Sequence, residues 1–233
     1  NEPEEKKSND IFNSFNKSIY YYSLAANQNN TKAQFNLGLL YQEGELIPRD
    51  MNKSIYYYSL AAKQNDARAQ CNLGFLYWEN NLIPRDIDKS IYYYSLAANQ
   101  NNAKAQFALG LLYEKGDLIP RDMNKSIYYY SLAANNNFAE AQFCLAIIYI
   151  SHKNIKKAIE YLTFSANQNF INSLFTLALF NLKGLYIKKD LEKGVEYLIK
   201  CTNCESKLSI YANFIIGYFY HIGLYVQQDI KKA

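Results

Sequence analysis

Two patterns of apolar and polar positions alternate along the chain. The first is seen in AQFNLGLLYQEG (Ala33–Gly44), where Ala33, Leu37, Leu40 and Tyr41 recur at spacings of three and four and mark one face of an α-helix. The second is NKSIYYYSLAA, which runs from Asn16 to Ala26 and returns unchanged at 52–62 and 124–134. It returns once more at 88–98 with Asp88 in place of asparagine. In this second helix Ser54, Tyr57, Ala61 and Ala62 fall on one side. The small residues predict close approach of neighbouring helices. Tyr57 is expected in the core with a partner for its hydroxyl, Tyr58 half-buried, and Tyr56 directed outward with Leu60.

A loop joins the two patterns, spelled ELIPRD, NLIPRD and DLIPRD. Pro48, Pro84 and Pro120 keep the first helix from running on. Asp50, Asp86 and Asp122 stand where an N-cap satisfies free amides of the second helix. Gly44 and Gly116 suit a left-handed helix stop, and Asn80 takes that place in the second unit. Leu-Gly recurs inside the first helix at Leu37-Gly38, Leu73-Gly74 and Leu109-Gly110. A mid-helix glycine costs about 1 kcal/mol relative to alanine, so its repetition predicts two backbones that cross closely there.

The equivalent lysines Lys17, Lys53, Lys89, Lys125, Lys157, Lys193 and Lys232 are spaced by 36, 36, 36, 32, 36 and 39 residues. That period is the size of a two-helix hairpin repeat. The predicted fold is all-α, a solenoid of about six antiparallel helix hairpins starting near residues 31, 67, 103, 139, 171 and 208. Residues 1–13 are expected to be a poorly ordered lead and 14–233 a single array whose second helix is cut short after Asp229. The fourth unit has eight residues from Tyr149 to Lys157 against twelve from Tyr41 to Lys53, which predicts a tighter turn. The last two units drift but keep Gly184, Gly223, Asp190 and Asp229.

Composition narrows the function. Of 233 residues, 49% are hydrophobic and 16% aromatic, enough for a core, and the formal charge of +4 is too mild to suggest a dedicated nucleic-acid or membrane-surface binder. Cys71, Cys144, Cys201 and Cys204 form no disulfide framework, and the lone CxxC at Cys201–Cys204 reads as small residues at a helix end. The longest apolar stretch, Tyr211–Val226, is interrupted by Asn213, Gly217, His221 and Gly223 and is expected to be a buried helix rather than a membrane span. Only His152 and His221 are present, with no phosphate loop or hydrolase motif. Identical repeated motifs argue for structure, since an active site is built once; no catalytic residue, metal or cofactor is expected. The sequons at Asn16, Asn29, Asn52 and Asn124 follow largely from one repeated unit, and a cytoplasmic location is expected, with a lumenal one as the alternative.

The second unit spells Ala67, Ala69, Gln70, Leu73, Gly74, Tyr77, Asp86, Lys89, Tyr93, Ala97 and Ala98. This resembles the pattern of the Sel-one-like repeat (SLR) proteins, relatives of the tetratricopeptide repeats, and the resemblance runs from about Ser14 to Ala233. Departures are Ser for Ala after the lysine, Asn80 for Gly, and the shortened fourth loop. The resemblance implies a right-handed superhelix of hairpins and adaptor or scaffold work in protein complexes, often in signalling or in protein quality control at the endoplasmic reticulum. It transfers no catalytic residues.

Solenoids bind on an extended concave surface lined by the first helices. With Ala33, Leu37 and Tyr41 toward the core, the opposite stripe is Lys32, Asn36, Leu39 and Glu43, followed by Arg68, Asn72, Phe75 and Glu79, then Lys104, Ala108, Leu111 and Lys115. The predicted partner is a protein or extended peptide. Lys32, Arg68 and Lys104 would hold an acidic group, Asn36 and Asn72 the peptide backbone, and Leu39, Phe75 and Leu111 apolar side chains. Alternatives are a helical repeat protein that reads RNA and a non-catalytic repeat region of a larger protein. An outer ladder, Tyr20/Leu24, Tyr56/Leu60, Tyr92/Leu96 and Tyr128/Leu132, is expected to pack laterally between second helices rather than dock a partner.

Overall fold

A computed structural model describes residues 17–45, 47–79, 82–117, 119–203, 205–221 and 223. The proposed lead at 1–13, the helix stop at Asn80, Cys204, and the repeat elements after Gly223 lie outside them. Among the described residues there are twelve α-helices and no strand. Helix α1 covers 17–27. It is followed by α2 (Thr31–Glu43), α3 (Met51–Lys63), α4 (Ala67–Glu79), α5 (Ile87–Asn99), α6 (Ala103–Lys115), α7 (Met123–Asn135), α8 (Ala139–Ser151), α9 (Ile155–Asn167), α10 (Ile171–Lys183), α11 (Leu191–Thr202) and α12 (Lys207–His221). Even-numbered helices begin a repeat and odd-numbered ones complete it. The chain forms two compact units, 1–129 and 130–233. In each, a first helix packs on the second helix of its own hairpin, and the next hairpin packs on that second helix.

The capping residues work as the sequence implies. The carboxylates of Asp50, Asp86, Asp122 and Asp190 each accept from the amide three residues on, at 3.0 Å. The Asp50 amide donates back to the Tyr41 carbonyl at 3.0 Å, closing the loop; Asp86, Asp122 and Asp190 repeat the bond to Tyr77, Tyr113 and Asn181. Gly44 ends α2 in the left-handed region at φ 70°, where a Cβ would also meet the Arg49 Cβ at 2.6 Å. The shortened loop between α8 and α9 is three residues, with Lys153 at φ 59° and the Asn154 amide donating to the Tyr149 carbonyl. Hairpin-to-hairpin turns place Asn29, Asn65, Asn101, Asn137 and Asn169 at φ of 58–65°, a conformation asparagine tolerates better than most residues.

Tyr56 points outward as expected, at 58% exposure, but the other two tyrosines exchange roles. Tyr58 is the core residue, with 0% exposure, and Tyr94 and Tyr130 repeat it. Tyr57 is half-buried: its ring lies parallel to Tyr41 at 5.8 Å, and the Lys53 ammonium sits over the other ring at 5.0 Å. The same lysine–tyrosine–tyrosine stack forms at Lys89/Tyr77/Tyr93, Lys125/Tyr113/Tyr129 and Lys157/Tyr149/Tyr161.

The recurring glycine explains the reassignment. A Cβ added at Gly38 would stand 2.5 Å from the Tyr58 ring, and one at Gly74 would stand 2.6 Å from Tyr94. The glycine therefore makes room for a ring, in place of the close backbone crossing expected from the sequence. Ser54 Oγ donates to the Gly38 carbonyl at 2.8 Å, and Ser90 to Gly74 likewise.

Helix α12 is helical as expected but not buried. Ile210, Tyr211, Phe214 and Tyr218 are 54–74% exposed. Among the described residues nothing lies within 4 Å of a Cβ placed on Gly217, the equivalent of Gly38, so the face that a second helix covers elsewhere is open. No helix of the described residues is long and apolar enough to cross a membrane.

Gly38→Ala is expected to lose stability. The gain in helix propensity, about 1 kcal/mol, is set against overpacking onto the Tyr58 ring of about 1–3 kcal/mol. Urea unfolding of the two proteins measures the difference; a net gain would mean that the ring moves aside freely.

Candidate functional site

All the predicted partner-binding residues lie on α2, α4 and α6 of the first unit. Lys32, Arg68 and Lys104 are exposed, one near the start of each helix. Phe75 is 41% exposed. Leu39 and Leu111 are half-buried and packed against core clusters, so they offer a partner only their outer edges. Asn36 and Asn72 are half-buried.

The three cations are not equivalent. The N-terminal caps of α2 and α6 are Asn30 and Asn102, which carry no charge. The residue in that place on α4 is Asp66. Its carboxylate accepts from the amides of Arg68 and Ala69 and from the Arg68 side chain, at 3.2 Å from Nε and 2.7 Å from one terminal nitrogen. Desolvation pushes the Asp66 carboxyl up, but the Arg68 guanidinium and the two amides outweigh it and hold it below the ordinary range. The guanidinium also lies 4.2 Å from the Phe35 ring centre. Arg68 is thus neutralised and stacked, whereas Lys32 and Lys104 make no ion pair among the described residues. The framework lysines Lys53, Lys89 and Lys125 are each matched by the capping aspartate three residues back.

Asn72 also has a structural task. The Tyr58 hydroxyl donates to Gln42 Oε1 at 2.8 Å and accepts from Asn72 Nδ2 at 2.9 Å. It ties α3 to the first helix on either side. Burial pushes the Tyr58 phenol up, with the Asn72 bond opposing.

A second polar device was missed in the sequence. Gln34 is 1% exposed; its amide donates to the Ala26 carbonyl and to Asn29 Oδ1, and its Oε1 accepts from Gln64 at 2.7 Å. Gln64 also donates to Asn29. Gln70, Asn65 and Gln100 repeat the arrangement. In the second unit Gln168 donates to Gln142 at 2.8 Å. The signal was present: glutamine recurs at 34, 70, 106 and 142, and asparagine at 29, 65, 101 and 137.

The outer ladder corrects another expectation. Tyr20, Tyr56, Tyr92 and Tyr128 are 58–60% exposed, so lateral packing does not cover them. Leu60, Leu96 and Leu132 beside them are half-buried. Each outer ring from Tyr56 onward meets the next tyrosine edge-on at 5.1–5.2 Å, which holds it in place on the surface.

Cys71 and Cys201 are buried and Cys144 is half-buried. Among the described residues no group of three or more histidine, cysteine or acidic side chains is placed to hold a metal ion.

Hairpins packed consecutively, with a glutamine clamp at Gln34, Gln70 and Gln142, define a helical-repeat protein of the solenoid class. The Sel1 repeat matches seven times, over residues 8–30, 31–66, 67–102, 103–138, 139–170, 172–200 and 210–233, and the chain belongs to that family. A Sel1 repeat protein from Oxalobacter formigenes is similar at 29% identity and TM-score 0.76, over 81% of this chain and 79% of its own. A protective antigen present in uropathogenic Escherichia coli strains, displaying an SLR fold, is similar at 26% identity and TM-score 0.78, over 90% of this chain and 45% of its own. An immunity protein from Pseudomonas aeruginosa shares the fold at 20% identity and TM-score 0.56, over 80% of this chain and 73% of its own. No curated protein matches the chain. Sel1 repeat proteins are generally protein-interaction scaffolds, and the fold is typically non-catalytic.

Two outcomes follow from this geometry. Asn72→Ala should lose about 1 kcal/mol of stability in chemical unfolding, because the Tyr58 hydroxyl loses a buried donor. Stability should also fall in alkali. Burial pushes the Cys71 thiol from 9.0 up to about 11, with Lys104 opposing. The folded state therefore keeps a proton that the unfolded state releases. This contribution, on the order of 2 kcal/mol, is complete below about pH 9 and lost as pH rises through about 11. Unfolding midpoints for the parent and Cys71→Ala between pH 8 and 11 test it, with a flatter profile expected for the variant.

Proposed function

We propose that this protein is an interaction scaffold that holds an extended, acidic peptide segment of a protein partner along α2, α4 and α6. The supporting observation is the contrast among its lysines. Lys53, Lys89 and Lys125 of the framework have their own aspartates, while Lys32 and Lys104 stand on the stripe with no acid paired to them among the described residues. A carboxylate from a partner supplies the missing charge. Asn36 offers its amide to the peptide backbone, and Phe75, with the edges of Leu39 and Leu111, supplies apolar contact. Arg68 and Asn72 belong to the site as residues already committed within the fold; they shape it and contribute less to affinity than the two lysines.

The test is a synthetic array of ten-residue peptides that combine one or two glutamates with apolar residues, followed by fluorescence anisotropy on the tightest. Lys32→Glu combined with Lys104→Glu should weaken binding at least tenfold and reduce its salt dependence. Arg68→Gln should weaken it less. Affinity that survives the double reversal would move the site to the exposed tyrosine ladder, and preferential binding of single-stranded RNA would replace the peptide reading.

A further inference from the structure

The first and second full repeats differ around one hydroxyl. In the first, Tyr58 has Gln42 and Asn72 as partners. Thirty-six residues on, Tyr94 is the equivalent, Trp78 replaces Gln42 and Ala108 replaces Asn72. Trp78 meets the Tyr94 ring edge-on at 6.2 Å between centres, which provides no acceptor. Tyr94 is only 2% exposed, and among the described residues its hydroxyl has no hydrogen-bond partner. Among the described residues the one side-chain polar atom sealed from solvent without a partner is Ser126 Oγ. The Tyr94 hydroxyl is therefore not sealed from solvent.

The surroundings changed with it. Phe35 of the first repeat becomes Cys71, and Arg68 becomes Lys104. Cys71, Tyr94 and Ala108 pack in one cluster. Lys104 stands one helical turn before Ala108 on α6, on the same side of that helix. The acid Glu79 also acts on the Tyr94 hydroxyl. Replacing asparagine by alanine removes one carboxamide, a planar three-heavy-atom group. A carboxylate has the same shape. An unpartnered donor, a cation without an acid and a missing carboxamide coincide at this one place.

We propose that the Tyr94 hydroxyl and the Lys104 ammonium form the subsite that takes the carboxylate of an acidic side chain on the bound peptide, a proposal that rests on the peptide-scaffold reading. The hydroxyl donates to one oxygen and the ammonium pairs with the other, in the place that Asn72 fills one repeat earlier. This sets the register of the peptide: its acidic residue lies at α6, and Arg68, held by Asp66, is passed over.

The experiment is a double-mutant cycle on the full chain with the tightest glutamate peptide from the array. Tyr94→Phe is crossed with replacement of that glutamate by alanine in the peptide. Tyr94→Phe should weaken the glutamate peptide about tenfold and leave the alanine peptide unchanged. Its thermal midpoint should equal that of the parent, because no internal hydrogen bond is lost; Tyr58→Phe, which loses two, should melt lower. Equal affinities for parent and Tyr94→Phe, or additive effects in the cycle, would overturn the subsite while leaving the scaffold reading intact. Absence of binding by any peptide would overturn both.

Discussion

A tyrosine ring seated on a glycine backbone is the contact on which the hairpin depends. Gly38 and Gly74 each give up the helix propensity of alanine so that Tyr58 or Tyr94 can lie against them. The serine four residues before each ring bonds the same glycine's carbonyl. The second unit solves the problem with smaller pieces. Ala146 and Ala178 stand at the glycine position, and Leu162 and Leu198 replace the tyrosine. Ala158 and Gly194 replace the serine. Ring with glycine, or leucine with alanine: the volume across the hairpin is kept while its parts are exchanged.

The tyrosine solution brings something that leucine cannot. A buried ring of this length carries its hydroxyl through the core to the stripe on the first helices, where Asn72 meets it. The core and the candidate binding face are thereby linked by one side chain. That link explains why a change on the face, asparagine to alanine at position 108, alters the hydrogen bonding of a residue that is almost wholly buried.

Much of this fold was legible in the sequence because its signals are local. A proline that stops one helix, an aspartate that starts the next and a glycine at a left-handed stop each act within a few residues. The assignment of Tyr57 and Tyr58 was not legible in the same way. One residue is a rotation of about 100°, and positions three and four after Ser54 both border the same face; only the partner helix decides between them. The three cations of the predicted stripe are exposed, but in the sequence they looked alike. Their difference resides in the preceding caps, Asn30, Asp66 and Asn102, where a single acid cancels one of the three. The glutamine clamp reads as polar helix surface until the neighbouring repeat buries it.

The clamp has a bearing on how such a chain grows. In the first two full repeats the glutamines of the two helices bond to each other and meet the asparagine that ends the preceding repeat, as Gln34 and Gln64 meet Asn29 and as Gln70 and Gln100 meet Asn65. The two edges of such a repeat, the glutamine pair and the closing asparagine, are complementary to those of the other. A stretch of DNA encoding one unit can therefore be copied next to itself, and the new protein segment finds matching polar groups on both flanks at once. Recombination between near-identical copies lengthens or shortens the array without new core design. Three verbatim copies of an eleven-residue motif are what that history leaves behind.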